Sequence, residues 1–550
     1  MNRFSKRVTA LLLIATLVFV SIIGCSNNKA EQDQNTKNNT SNNTAANTAE
    51  ADNWQQATAG SGGQALPVTK ESVEYSFMTL EFGNTPIRSS FVVVPEVERR
   101  TNVKFDLQKV PESNYKDKLN VVLASGDIPD LVAGVSLSVA NEFGPKGLFL
   151  NIWDYIDIMP NLKKAFDTFP EFAEYKYSDN QLYQLMNQCA PNSDPQGFGY
   201  YKQIPMIRTD VLEDLNLKAP ATFDELYEVL SAIKSKYPDS YPWINQRGLE
   251  FLQQVLVAWN GKVLEQGYNY AAYDPDSKKW GFAPEQAGFK EMIEYLRKLY
   301  AEGLLDKEFA VANSSQWEER SINDKGFFSY SYWNSSDAIT LKARESGKEQ
   351  FKTIGIVPPA NTGPSAVVVR NSCSNFSAIN SKVKNPEALL KALDYWLYSV
   401  DGTMLANAGI EGTNFVWEED QKIYKLVDPD LANPTNETHK EKFGVRYEYM
   451  TGLRPDHFDI HNHLVDPDNN IYHQQYLMYQ GHTVNPGPVK IFKDTEKAET
   501  MKQVGVPIKD FVEQQLTKFI TGASSMDTWD QFIQTTQKMG TVAMIDLLNG

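Results

Sequence analysis

The chain has 550 residues, more than one small core needs, so its folded part should divide into at least two lobes. Its 69 acids outnumber its 53 lysines and arginines, and the formal charge of -16 argues against nucleic acid or an anionic membrane surface as a partner. Of its three cysteines, Cys189 and Cys373 either pair or stay as buried thiols, and the sequence leaves both open.

The chain opens with Arg3, Lys6 and Arg7, and then runs almost unbroken in apolar residues from Val8 to Ile23, ending at Gly24-Cys25. A basic head, a short apolar run and a small residue before cysteine make a secretion signal. The run is short against the ~20 residues that span a bilayer, which argues against an uncleaved anchor helix. The pattern resembles a lipoprotein signal peptide, which implies cleavage after residue 24, a lipid on Cys25 and a location on the outer face of the cell membrane. Losing residues 1–24 removes three cations and no acids and leaves -19, which disfavours a polyanionic ligand unless a local cation such as Arg208 offsets it. Residues 25–66 are dominated by Asn, Thr, Ala, Gln, Ser and Gly and are expected to be a disordered tether. About 40 such residues reach about 35 Å.

Folded sequence begins near Leu66-Pro67. Val73–Leu80 and Val103–Val110 read as strands, while Tyr115, Leu119 and Val122 mark one face of a helix that stops at Gly126. Gly126-Asp127-Ile128-Pro129-Asp130 then turns the chain into another apolar strand. This rhythm predicts an α/β fold with a mostly parallel sheet, whose ligands sit beyond the carboxyl ends of its strands. Glu81 and Asp130 are expected near such ends. Farther on, Thr222 and Glu225 form a capping box, Phe289, Ile293, Leu296 and Tyr300 form a stripe ending at Gly303, and Asn385-Pro386 opens a helix whose Trp396 belongs to the core.

The order of several segments carries a resemblance. Gly126-Asp127-Ile128-Pro129-Asp130 is followed by Arg208-Thr209-Asp210-Val211-Leu212, Pro220 with the capping box, and Leu299-Tyr300-Ala301-Glu302-Gly303-Leu304-Leu305-Asp306. Asn375-Phe376-Ser377-Ala378-Ile379-Asn380, Gly409-Ile410-Glu411-Gly412 and Phe519-Ile520-Thr521-Gly522 before Trp529-Asp530 continue the series. Together they resemble the family 1 extracellular solute-binding proteins, in particular the large lipoproteins that serve ABC importers of oligosaccharides. The resemblance implies a periplasmic-binding-protein fold: two α/β lobes, a hinge of several crossing segments and a ligand in the cleft between them. Crossings near Ile204, Arg370 to Asn375 and Gly412 would divide the chain into 67–204 with 371–412 as one lobe and 205–370 with 413–550 as the other. Implied partners are an oligosaccharide and permease subunits, with the receptor itself a monomer.

Sugars present hydroxyls, which call for carboxylates, amides and guanidinium groups, and C–H faces, which call for flat aromatic rings. On that basis Glu81, Asp130, Arg208, Asn260, Asn375 and Glu411 are the expected polar contacts, and Trp259 and Trp333 the expected stacking rings. No cofactor and no metal are expected. All six histidines lie between His439 and His482; His457 and His461 could share a metal on a helix, or His461 and His463 on an extended segment, but no cysteine or glutamate completes a known spacing and loop signals flank the segment. Asp466-Pro467-Asp468-Asn469-Asn470 lacks the glycine and bidentate acid of a calcium loop, with Ile471 and Leu477 in their places. Motifs for a serine hydrolase, a phosphate-binding loop or a zinc protease are absent, so an enzyme is not expected. Two rival readings remain: a surface glycosidase, which needs only two well-placed carboxylates, and a receptor for peptides or another solute, including a sensory one.

Overall fold

The computed structural model describes residues 60–550 apart from 82–86, 89–90, 190–202, 266–268, 333–334, 369–372, 419–422, 428–442, 446–449, 454–477, 480, 486, 489, 491 and 493–494. Strands β1 (Val73–Glu81), β2 (Val103–Pro111), β3 (Leu131–Val135) and β4 (Leu185–Cys189) come first. They are followed by β5 (Ile204–Arg208), β6 (Val263–Glu265), β7 (Ala271–Asp274), β8 (Lys279–Phe282), β9 (Phe328–Ser331), β10 (Thr353–Gly355) and β11 (Val367–Val368). The remainder are β12 (Cys373–Ile379), β13 (Phe415–Glu418), β14 (Ile423–Leu426), β15 (Gly452–Leu453) and β16 (Thr483–Val484).

Two lobes result. The first is built on a six-stranded sheet in the order β15-β4-β12-β3-β1-β2, the second on the sheets β10-β5-β9 and β6-β7-β8. Within the first sheet β2, β1 and β3 run parallel, as their helical crossovers require, but β12 runs antiparallel to both β3 and β4. With β4 and β15 parallel to each other and β12 reversed against both β4 and β3, five of the six strands share one direction, in keeping with a mostly parallel sheet, and β12 alone runs against them. The reason is topological: β12 enters from the second lobe at the carboxyl end of β3, so it must run back along it.

The buried clusters separate in the same way. Residues between Val68 and Cys189 pack with Cys373 to Leu453, whereas Ile204 to Val368 pack with Tyr479 to Leu548. Val445, Met450 and Leu453, all beyond the crossing expected near Gly412, pack with the first lobe.

Local signals explain the elements. Gly126 ends the helix Glu112–Ser125 at φ 69°, a conformation that favours glycine, and its amide closes the last turn on the carbonyl of Val122. The Thr222 hydroxyl accepts from the Glu225 amide at 3.1 Å, while the Glu225 carboxylate accepts from the amide of Ala221 at 2.7 Å. Trp396 is 1% exposed and meets Phe105 edge to face at 5.6 Å, which sets the helix Pro386–Tyr398 against the first sheet. Burying a ring of this kind contributes about 3 kcal/mol.

The expected tether is shortened, since residues 60–64 dock on the first lobe. The Gly60 carbonyl accepts from the Asp401 amide at 3.0 Å, and Asn161 Nδ2 donates to the Ser61 carbonyl at 3.1 Å. Gly62, at φ 64°, leaves no room for a side chain, because an added Cβ would lie 1.7 Å from Asn161 Oδ1. Asn161 is itself held by Asp394, which also accepts from the Leu162 amide at 2.9 Å. Burial pushes the Asp394 carboxyl up to about 7, against the pull of these donors.

Candidate functional site

Strand direction decides where the lobes meet. The carboxyl ends of β1 and β3 and the amino end of β12 lie at one edge of the first sheet, together with Cys189 and Leu453 at the ends of β4 and β15. Among the described residues, three adjacent strands, β15, β4 and β12, stand next to the segments that join this lobe to the second. Two of them are tied by a disulfide between Cys189 and Cys373, which are register partners in the sheet. The pairing left open by the sequence is thereby resolved.

Polar side chains gather near this edge. Glu81 closes β1 and accepts from the amide of Ile87 at 3.2 Å, and Lys109 donates to the Ile87 carbonyl at 3.0 Å. Asn375, held at φ 54° in β12, donates to Gln188 Oε1 at 2.9 Å. The buried Asn187 accepts from the Ser377 hydroxyl at 2.9 Å, and its Nδ2 has no hydrogen-bond partner among the described residues.

The facing end of the second lobe has a matching set. Chain arriving from the first lobe enters β5 at Gln203-Ile204, and Ile204 pairs with Ser331, so the carboxyl end of β9 lies at this end too. The segment 243–247 follows β9 in parallel, anchored by the fully buried Trp243 and by a bond of 3.0 Å from the Ile244 amide to the Phe328 carbonyl. It brings Gln246 to the Ser331 hydroxyl, at 2.6 Å, and the Arg247 guanidinium over the Tyr332 ring, at 5.2 Å. Gln203 Nε2 donates to Glu250 at 3.3 Å, while its Oε1 is buried with no partner among the described residues. Gln254 accepts from the Val368 amide at 2.9 Å where the chain leaves the lobe, and its Nε2 is likewise unpartnered. Such half-satisfied buried amides are costly unless a ligand or water completes them.

Of the expected residues that are described, the structure brings Glu81 and Asn375 to this region and not the others. Asp130 lies at the amino end of β3, opposite to expectation, where it accepts from the amide and hydroxyl of Ser76 at 2.9 and 2.8 Å and locks β1 to β3. Arg208 is at the far end of β5, 6% exposed, stacked 3.7 Å from the Phe351 ring and paired with Asp210 and Asp324 at 2.6 and 2.7 Å. Burial works against its charge, but these two carboxylates outweigh it and hold the guanidinium pKa above its ordinary value. Trp259 is core, 7% exposed between Phe223 and Tyr295 at 4.9 and 5.4 Å. Asn260 ties the same helix end to its surroundings, donating to the Ala287 carbonyl at 2.7 Å. Glu411 is exposed in the turn after the helix Val400–Ala408, and Trp333 lies outside the described residues, as do all the histidines except His482 and the Asp466 to Asn470 run.

The missed residues did leave a trace in sequence. Gln253-Gln254 interrupts the otherwise apolar helix Leu252–Asn260, and both are buried. The polar run Asn245-Gln246-Arg247 follows directly on buried Trp243-Ile244. Amides embedded in apolar sequence mark either a structural bond or a polar site, and here they mark both.

Comparison with known proteins adds the following. The sequence profile described as bacterial extracellular solute-binding protein matches residues 93–413. The polygalacturonan/rhamnogalacturonan-binding protein YtcQ of Bacillus subtilis is 28% identical over 375 residues, covering 65% of this chain and 70% of that protein. The fructooligosaccharide ABC transporter substrate-binding protein FusA of Streptococcus pneumoniae is 23% identical over 478 residues, covering 82% and 84%. The crystal structure of FusA in complex with kestose superimposes with a TM-score of 0.67 at 20% identity, covering 86% of this chain and 98% of that one. That of the alginate-binding protein AlgQ2 without calcium ion gives 0.70 at 21% identity, covering 88% and 98%. At these identities the structural likeness speaks for the two-lobed fold alone.

Proposed function

The chain belongs to the bacterial extracellular solute-binding protein family, and from that premise we propose that it is a lipid-anchored, monomeric carbohydrate receptor that hands an oligosaccharide to an ABC permease. The observation that carries the reading is the polar cluster at the hinge end of the second lobe. Amides from Gln203, Gln246 and Gln254, the Glu250 carboxylate and the Arg247 guanidinium over the Tyr332 ring supply donors, an acceptor and an aromatic body at one place. That is the mixture a polyol ring requires. Trp333, next to Tyr332 in sequence, is retained as a proposed stacking ring, and Glu81 and Asn375 as first-lobe contacts. We assign residues 60–189 with 373–453 to one lobe and 203–368 with 478–550 to the other. A ligand touching both lobes only when they are shut favours the closed form by its differential affinity. The named relatives of the chain bind polygalacturonan, rhamnogalacturonan and fructooligosaccharides, which supports a sugar over a peptide.

Thermal melts of the mature chain against neutral oligosaccharides, uronide oligosaccharides and peptides test this. A ligand at about one hundred times its dissociation constant adds about 2.7 kcal/mol. Stabilisation by a sugar, recovered uncleaved afterwards, is the expected result. Response to peptides alone would overturn the carbohydrate reading, and release of shortened sugar would replace the receptor with a glycosidase.

A further inference from the structure

Eight arginines lie within the described residues, and six of them hold a carboxylate or a backbone carbonyl. The other two, Arg88 and Arg247, are exposed and have no ion pair or hydrogen bond from the guanidinium among the described residues. In a chain with 69 acids against 53 lysines and arginines this is not for want of anions. Each sits at the end of its own lobe's sheet. Arg88 follows Ile87, which Glu81 and Lys109 fasten over the carboxyl ends of β1 and β2 on the first lobe. Arg247 lies over Tyr332 at the hinge end of the second.

We infer that these two arginines select an acidic sugar: a hexuronate oligosaccharide whose carboxylates are read by Arg247 from one lobe and by Arg88 from the other. The inference rests on the carbohydrate reading above and deepens it. Hydroxyls alone need no guanidinium here, because Gln203, Gln246 and Glu250 already offer donors and acceptors beside Arg247. Closure of the lobes strips water from both cations, and an unpaired charge removed from water is costly. A uronate supplies the counter-charge and accepts from guanidinium in the bidentate geometry that arginine favours. Glu250 repels a second carboxylate at its own position and so directs the acid toward the Tyr332 side. The negative charge of the whole chain does not oppose this, because at physiological salt charges beyond about 8 Å are screened and the near cations decide.

The test is calorimetric titration of the mature chain with trigalacturonate, with its methyl ester, which keeps the sugar and removes the charge, and with neutral maltotriose and kestose. The acid is expected to bind at least about tenfold tighter than its ester, the worth of one charge-assisted bond, and to weaken with added salt. In R247Q, and separately in R88Q, the ratio of acid to ester affinity should fall toward one, while R247K keeps part of it. Melting curves and far-ultraviolet circular dichroism check that each variant is folded. Equal affinity for acid and ester, or tight binding of a neutral trisaccharide with no response to the acid, overturns the inference and leaves the receptor reading standing. Absence of binding to every sugar overturns both.

Discussion

At the scale of single residues, the same side-chain types fall into two classes that differ only in what surrounds them. Arg208 has two carboxylates and an aromatic face around it, whereas Arg247 has, among the described residues, only the face. Trp259 likewise has aromatic neighbours on two sides and is a packing residue. Trp259→Ala should therefore cost about 4 kcal/mol of stability, as large-to-small changes in a core do. Urea denaturation of the variant reads this directly; a loss of sugar affinity with unchanged stability would return Trp259 to the site. Sequence could not separate these classes, since Asp324 stands 116 positions from Arg208 and Tyr295 stands far from Trp259 along the chain. The position of Glu81 at the end of β1 was legible from the strand pattern of Val73–Leu80, whereas Asn375, the third residue of β12, carried no periodic strand signal. Asp130 was misread because the turn preceding β3 places it at the amino end, where it bonds Ser76.

At the scale of elements, strand and helix positions were largely legible, because apolar periodicity and caps are local signals. β1, β2, the helix Glu112–Ser125 and the capped helix Phe223–Lys236 lie where their patterns put them. The antiparallel entry of β12 was not legible, since it depends on which lobe the chain arrives from. The helix Val93–Thr101 illustrates how an element is held: Glu96 bonds Arg99 and Arg100 at 2.7 Å, and Arg100 reaches the Tyr395 hydroxyl at 2.8 Å. The bond from Arg99, helped by Arg100, pulls the Glu96 carboxyl from 4.5 down to about 2. A depressed acid contributes stability that is complete above the unfolded pKa and is lost as pH falls from about 4.5 toward 2. Glu96→Gln should flatten the fall of melting temperature over that window, measured at pH 6, 4 and 3; parallel curves for variant and parent would contradict it. The Cys189–Cys373 bridge ties β4 to β12 across 184 positions, beside segments that join the lobes. Replacing both cysteines with serine should cost about 3 kcal/mol in denaturant unfolding. An unchanged midpoint would mean that the sheet alone fixes this corner.

At the scale of the molecule, the proposed receptor runs from anchor to cleft. In that proposal the leader and Cys25 address the chain to a membrane and the polar segment gives it reach; in the structure, residues 60–64 dock on the first lobe. Cys25→Ala should release the protein from membranes, followed by fractionation of cells, while calorimetry of the purified variant returns the parent's sugar affinity. Lost affinity would show that anchor and cleft are coupled. The central claim is that a sugar bridges two lobes and shuts them. Small-angle X-ray scattering of the mature chain during titration with oligosaccharide tests it most directly. A radius of gyration that falls and saturates together with the calorimetric binding curve is the predicted result. Sugar bound with the scattering unchanged, or closure driven by a peptide and by no sugar, would contradict it.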